Sequence, residues 1–430
     1  MIRTAAMLVF SLFSVPGYAA QQETATTATS PNPQDAVTYG APTSNLEAAS
    51  ADLRQRANQL WGSGHMTQAA KDYLEIVRRD QQAGTNAHLP ADLYAAASLS
   101  IEVNKLEDAK DYYERSLEIL KNRPLAAAEV RVALGGLLAL IGSFSPAETQ
   151  FKTAIADLSR YAGPNDLRLA KAWNDLGWVY TAWGKMDEAE IALHKAQAIV
   201  DKTLSPDSLE RIHFLDYQAE FLGQTGRYAE AERLWRHAVE IAEKSVGANS
   251  PQFDTLFLHL GQMYCWIGEY KSAEQSLEHF LSIESKVVPS GSIAQAVALG
   301  ELANSYTHLR EYPQAESNFM KSLSMMESIP DKVPLASALI SSYLGDYYMT
   351  QREWSQAADQ YRRALDARQK LVPNSALVAG SMASLSDAFE KLKRKNEANK
   401  YKKEAQAILA TQHNPLYSGE TVDLKSFRRN

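Results

Sequence analysis

Small and apolar residues recur along this chain at a long, nearly constant interval, within segments whose apolar residues are spaced as on one face of a helix. The clearest marker is an alanine that returns every 38 to 42 residues. It stands at Ala69, Ala109, Ala147, Ala189, Ala231, Ala273, Ala315, Ala357 and Ala398. A fixed internal period of this length is typical of proteins built from stacked repeats, each repeat being one small structural unit.

Other residue types keep fixed distances from this index alanine. Twelve residues before it stands a small residue: Ala57, Ala97, Gly135, Gly177, Ala219, Gly261, Ala303, Gly345 and Ser386. An aromatic or other bulky apolar residue usually stands three residues before it and four residues after it, and glycine is common five residues before it. Helices cross closely where small side chains meet, and bulky ones fill the sides of the crossing. Each repeat is therefore predicted to be a helix, a tight turn, a second helix and a longer loop.

This pattern resembles the tetratricopeptide repeat family from about Ala48 to Ala410. The family's usual period is about 34 residues, and the step of 42 here resembles its long-helix variety, as in kinesin light chains. The resemblance implies an all-α fold, a right-handed α-α superhelix (solenoid) of about nine helical hairpins over residues 45–410. It also implies that the first helix of each hairpin lines a concave groove.

The two ends of the chain differ from this array. Residues 1–20 combine Arg3, a short apolar run and small residues, which predicts a secretory signal peptide cut after Ala19 or Ala20. A membrane anchor is the alternative, but the run is far shorter than the roughly 20 residues that a membrane span needs. Residues 21–44 are predicted to be a disordered linker, and residues 411–430 a non-helical tail. We therefore expect a periplasmic or secreted protein, with no transmembrane segment in the mature chain.

Composition narrows the range of functions. The net charge of −7 argues against general nucleic-acid binding, which needs a basic surface. Cys265 is the only cysteine, so no disulfide can form within the chain, and we expect it to be a small packed side chain. No phosphate-binding loop, metalloprotease motif or nucleophile motif occurs. The sequence therefore predicts a protein that is not an enzyme and uses no cofactor or metal.

Residues that vary between repeats are the candidates for partner binding. Positions 15, 11 and 7 before the index alanine lie about one turn apart and would face the implied groove. With neighbours at its edge, the predicted peptide-binding residues are Asn174, Asp175, Trp178, Asp216, Tyr217, Glu220, Gln262, Trp266, Asn304, His308 and Asp346. Amide side chains can pair with a peptide backbone as donor and acceptor, and exposed tryptophans are frequent anchors in interfaces. The alternative is that these side chains face solvent or form contacts between repeats.

The predicted function is an exported scaffold that binds a protein or peptide partner, of unknown identity, in its concave groove. The first alternative is an envelope-assembly or secretion accessory that acts as a spacer through its ends and convex face. The second is an enzyme hidden in the groove, whose turnover would depend on Asp216, Glu220 or His308. The last helix contains the basic run "KLKRKNEANKYKK" from Lys391 to Lys403. The favoured interpretation of this run is a polar cap at the end of the array. The alternative is a docking site for anionic lipid or an acidic partner.

Overall fold

The computed structural model describes residues 45–62, 65–83, 88–103, 105–247, 253–288, 291–328, 334–371 and 375–410. Over these residues the chain forms eighteen α-helices and no β-strand. The predicted signal peptide, linker and tail (1–20, 21–44 and 411–430) lie outside the described residues. The predicted fold class, an all-α solenoid of helical hairpins, is confirmed.

The contacts divide the chain into two units, whose boundary falls after Tyr217. The helices of the first unit are α1 (Asn45–Gly62), α2 (Met66–Ala83), α3 (Leu89–Glu102), α4 (Leu106–Ile119), α5 (Pro124–Leu140), α6 (Phe144–Tyr161), α7 (Leu167–Trp183) and α8 (Met186–Thr203). Helix α9 (Arg211–Gln224) contains the boundary. The second unit continues with α10 (Tyr228–Val246), α11 (Thr255–Ile267), α12 (Tyr270–Val287), α13 (Ile293–Leu309), α14 (Tyr312–Ser328), α15 (Pro334–Thr350), α16 (Trp354–Leu371), α17 (Ala376–Lys391) and α18 (Lys395–Ala410).

Odd-numbered helices are the first helices of the hairpins, and within each unit they also contact one another. In the first unit α5 packs on its partner α6 and directly on α7. In the second unit α13 packs on α14 and also contacts both α11 and α15. In both units some first helices therefore contact the next first helix directly, so that a residue on one can reach the other.

The index alanines lie at the centre of the hairpin crossings, because each is at most 2% exposed. The small residue twelve positions earlier faces the bulky residue four positions after the alanine. A Cβ added to Gly261 would lie 2.6 Å from Leu277 Cγ, and one added to Gly345 would lie 2.5 Å from Tyr361 Cε1. These distances are too short for real contacts, so the crossing requires glycine there. The repeated small residues are thus explained by packing.

The tight turns inside the third to ninth hairpins each have one residue with a left-handed backbone conformation. Gly142, Gly184, Gly226 and Gly268 take this position with φ between 80° and 84°. In the last three hairpins Arg310, Arg352 and Lys393 occupy the same position, and their φ values are 62° to 63°. The turn is therefore set by the stacking of the two helices, because residues with a Cβ adopt this strained conformation where glycine is missing.

Tyrosines nine residues before the index alanine connect neighbouring hairpins. In the first unit Tyr180 on α7 donates a hydrogen bond to Glu148 on α6, over 2.7 Å. In the second unit Tyr264 donates in the same way to Glu232 over 2.9 Å. In each case the first helix of one hairpin is bonded to the second helix of the preceding hairpin. These bonds supplement the apolar packing that holds each stack together.

Candidate functional site

Five of the predicted groove residues lie in the first unit, on α7 and α9, and all are buried: Asn174, Asp175, Trp178, Asp216 and Tyr217. Several of them contact the neighbouring first helix. Asn174 donates to the backbone carbonyl of His213 over 3.4 Å. His213 Nε2 lies 2.8 Å from Asp175 Oδ1. The rings of Trp178 and Tyr217 stack with centroids 5.7 Å apart. In this unit the predicted residues therefore form contacts between repeats.

The expectation that the two groove tryptophans are exposed is wrong. Trp178 is 3% exposed and Trp266 is 2% exposed. Each lies on a first helix at the predicted repeat position, and a neighbouring hairpin covers it. The repeat period places both rings on first helices, but it carries no information about how closely the next hairpin approaches. Neither ring offers a flat exposed surface to a partner.

The other six predicted residues lie in the second unit: Glu220, Gln262, Trp266, Asn304, His308 and Asp346. Glu220, Gln262 and Asn304 are buried. His308 is exposed and stacks on Tyr270, with nearly parallel rings 4.2 Å apart. Asp346 is half-buried and accepts a hydrogen bond of 2.5 Å from the Tyr361 hydroxyl. The second unit therefore has both buried and accessible polar residues along its first helices.

A buried polar cluster joins three successive first helices of the second unit. This Glu301 cluster consists of Gln262 and Cys265 on α11, Glu301 and Ser305 on α13, and Tyr343 on α15. The Tyr343 hydroxyl donates to Glu301 Oε1 over 3.0 Å. The Cys265 sulfur lies 3.2 Å from the Ser305 hydroxyl oxygen. All five side chains are buried, and Glu301 is 0% exposed.

Burial makes the Glu301 cluster electrically neutral at pH 7. It raises the pKa of Glu301 to about 8, although the Tyr343 hydroxyl, the Cys265 thiol and the nearby Gln262 amide act in the opposite direction. Burial also raises the pKa values of Cys265 and Tyr343 well above their ordinary values. Glu301 is thus mostly a carboxylic acid that can donate as well as accept. The Cys265 thiol stays protonated, which matches the prediction of a packed rather than reactive cysteine.

Part of the hydrogen-bonding capacity of the cluster is unused within the described residues. Gln262 Nε2, Gln262 Oε1 and Glu301 Oε2 are buried and have no hydrogen-bond partner there. Buried polar groups are nearly always paired, and each unpaired one costs about 1–3 kcal/mol of stability. Gln262 is one of the predicted peptide-binding residues. Its amide can offer a donor and an acceptor to the same peptide group.

Arg368 is a buried charge near this cluster that the sequence analysis missed. It lies on α16, is 3% exposed, and donates to the Ser381 hydroxyl over 2.6 Å. Burial lowers its pKa to about 10, while the nearby Tyr343 and Asp346 act to raise it. A lone arginine in the last turn of a second helix usually faces solvent. Nothing in the sequence marked this one as buried.

The described part of the chain was searched for metal ligands and for membrane-spanning helices. There, no three His, Cys, Asp or Glu side chains converge as the ligands of a metal ion would. No described helix is both long enough and apolar enough to span a bilayer.

Comparisons with known proteins identify the repeats. Models of the tetratricopeptide repeat match residues 170–199, 211–284 and 294–370. A search of curated proteins found no match.

Solved structures with similar folds cover most of the chain. A Rap protein complexed with competence and sporulation factor has a TM-score of 0.56 and 14% identity, covering 84% of this chain and 97% of that one. The apo quorum sensor NprR from B. thuringiensis has a TM-score of 0.54 and 13% identity, covering 84% and 99%. Repeats of a putative kinesin light chain from Podosopora anserina have a TM-score of 0.38 and 20% identity, covering 47% and 96%. At these identities the first two similarities establish the helical-repeat fold alone.

Proposed function

Because the chain is built from tetratricopeptide repeats, we propose that it is a non-enzymatic scaffold whose first helices bind a segment of another protein. The contact region in this proposal is the part of the second unit around the Glu301 cluster. Accessible His308 and half-buried Asp346 lie on the same first helices, α13 and α15. They would form the edge of that contact region.

The observation that carries the proposal is the unused hydrogen-bonding capacity of Gln262. Its side chain is 1% exposed, and its amide has no hydrogen-bond partner among the described residues. A buried amide without a partner lowers the stability of the folded chain, so the presence of glutamine at this position calls for an explanation. A peptide backbone supplies the complementary donor and acceptor. The fold similarity to a Rap protein complexed with competence and sporulation factor supports a binding role for such an array.

Export belongs to the same proposal. The predicted signal peptide at residues 1–20 would deliver the scaffold to the periplasm or the medium. The absence of recognisable catalytic motifs supports binding without catalysis. The partner would be a protein or peptide, with no role for nucleic acid, because the chain is acidic overall.

The proposal is tested with a peptide selected from a random display library on the full-length chain. Its dissociation constant is then measured with the wild type, Gln262→Met and Gln275→Met. Methionine is similar in size to glutamine but has no amide. We expect Gln262→Met to weaken peptide binding at least tenfold while stabilising the free protein by about 1–2 kcal/mol, because two unpaired buried atoms are removed.

Gln275 is exposed on the second helix α12, so Gln275→Met is expected to change neither binding nor stability. The proposal is overturned if no peptide is selected above background. It is also overturned if Gln262→Met binds the selected peptide as tightly as the wild type does.

A second candidate function is a structural spacer that uses its ends and convex face. It is favoured by the burial of the first-unit residues Asn174, Asp175 and Trp178 in contacts between repeats. A spacer has no need of the amide at position 262. The spacer function therefore predicts that Gln262→Met gains stability at no functional cost.

A further inference from the structure

The last helix, α18, has its basic and acidic residues on different faces. It packs on α17 through an apolar face that includes Ala398, Ala405 and Leu409. At about 100° per residue, Glu397 and Glu404 lie seven positions apart on one edge of the helix, and both are half-buried.

The lysines occupy the exposed face of the same helix: Lys395, Lys400, Lys402 and Lys403. None of them forms an ion pair with a described residue, whereas Arg394, just before the helix, pairs with Glu397. Lys391 and Lys393 add two more exposed charges directly before the helix. Residues 391–404 contain seven basic and two acidic residues, a net charge of +5, within a chain of net charge −7. The rest of the chain therefore carries −12.

We propose that the exposed lysine face of α18 docks the protein onto an anionic lipid surface. The inference concerns a different surface from the Glu301 cluster and does not depend on the proposed partner binding. It favours the docking interpretation of the basic run over the polar cap. The strongly acidic remainder of the chain would be repelled by an anionic bilayer, so attachment through α18 would also orient the protein on it.

The chemistry of the face favours a lipid surface over an acidic protein. All four charges on the exposed face are lysines, whose side chains are flexible and strongly hydrated. Arginine would suit an acidic protein better, because its planar guanidinium group pairs with carboxylates that are held in fixed positions. The other exposed residues on this face of the helix include Asn396, Asn399 and Gln406. No large apolar side chain accompanies them, so the attachment would be peripheral and purely electrostatic. Such attachment is weakened by salt.

The test measures flotation of the full-length protein with two kinds of vesicle at low salt. One kind is phosphatidylcholine alone, and the other contains about 30% phosphatidylglycerol, which gives the negative surface that clustered lysines recognise. The docking variant replaces Lys395, Lys400, Lys402 and Lys403 with glutamine. The matched control replaces Lys71, Lys202, Lys244 and Lys321, which are exposed elsewhere. Each variant therefore loses four positive charges.

We expect the wild type and the control to bind the anionic vesicles, not the neutral ones, and to be released by added salt. Each lysine near an anionic surface contributes a factor of about five to the affinity, so the docking variant, which lacks four of them, should bind about 600-fold more weakly. Helicity measured by circular dichroism should be the same for all three proteins. The proposal is overturned if the wild type does not bind the anionic vesicles, or if the two variants lose binding to the same extent.

Discussion

Tyr343 and Glu301 occupy the same position in neighbouring repeats, 42 residues apart, and the Tyr343 hydroxyl donates to Glu301 Oε1 over 3.0 Å. The bond links first helices α15 and α13 inside the second unit. Tyr217 and Asp175 hold this repeat position in the first unit, and both are buried there as well. The position is therefore used for buried polar contacts between first helices in both units.

The buried carboxyl of Glu301 predicts a specific pH dependence. Its pKa is about 8 in the folded chain, against an ordinary value of 4.5. Between these pH values the folded chain holds a proton that the unfolded chain has released. Stability therefore falls as the pH rises from about 4.5 to about 8, by at most about 1.4 kcal/mol per pH unit from this group. Glu301→Gln cannot ionise and should remove this contribution, which urea unfolding at pH 5.5 and pH 8 would measure.

Glu316→Gln is the matched control, because Glu316 is exposed on α14. It should keep the wild-type pH dependence. At pH 8 the Glu301→Gln protein should be more stable than the wild type, and near pH 5 the two should be close. If the wild type and Glu301→Gln lose stability in parallel between pH 5.5 and pH 8, then Glu301 does not keep its proton in the folded chain.

The three non-glycine turn residues predict stabilising substitutions. Arg310, Arg352 and Lys393 have φ values of 62° to 63°, a conformation that costs residues with a Cβ about 1–2 kcal/mol. Replacing each with glycine relieves this cost but adds flexibility to the unfolded chain. We expect a net gain of up to about 1 kcal/mol in each variant, measured by chemical denaturation. Gly268→Ala, the reverse change at φ 84°, should lose about as much. Unchanged stability in all four variants would show that these turns are not strained.

The helix crossings predict opposite effects for two glycine-to-alanine substitutions. A Cβ at position 345 would collide with Tyr361 at 2.5 Å, so Gly345→Ala should destabilise the protein by about 1–3 kcal/mol. A Cβ at position 223 would meet Trp266 Cζ3 at an ordinary 3.4 Å. Gly223→Ala should therefore gain up to about 1 kcal/mol from helix propensity. Thermal unfolding of the two variants separates these cases, and a loss of the same size in both would contradict the crossing geometry.

Most of the fold could be predicted from the sequence because the two helices of every repeat pack against each other in the same way. The index alanines and the small residues twelve positions earlier define where the helices cross, and the structure buries them there. The glycine pattern weakens in the last hairpins, where arginine and lysine adopt the same turn. Stacking of neighbouring helices, a tertiary effect, sets the backbone at those positions.

The site was predictable only in part. Helical spacing placed Gln262 and Asp346 on the first helices, and the structure brings Gln262 close to Glu301. The spacing could not show that Trp178 and Trp266 would be covered, because burial depends on the distance between hairpins. Nor could it reveal Arg368, which is buried against the Ala338 backbone carbonyl of α15 and the Ser381 hydroxyl of α17.

Hydrogen–deuterium exchange of the full-length chain, with and without the selected peptide, tests the central claim of binding by the first helices most directly. Exchange reports local opening of each helix, and a bound segment slows it where contacts form. The account predicts slower exchange in α11, α13 and α15, and loss of that protection in Gln262→Met. Protection restricted to the second helices or to α18, and unaltered in Gln262→Met, would contradict it.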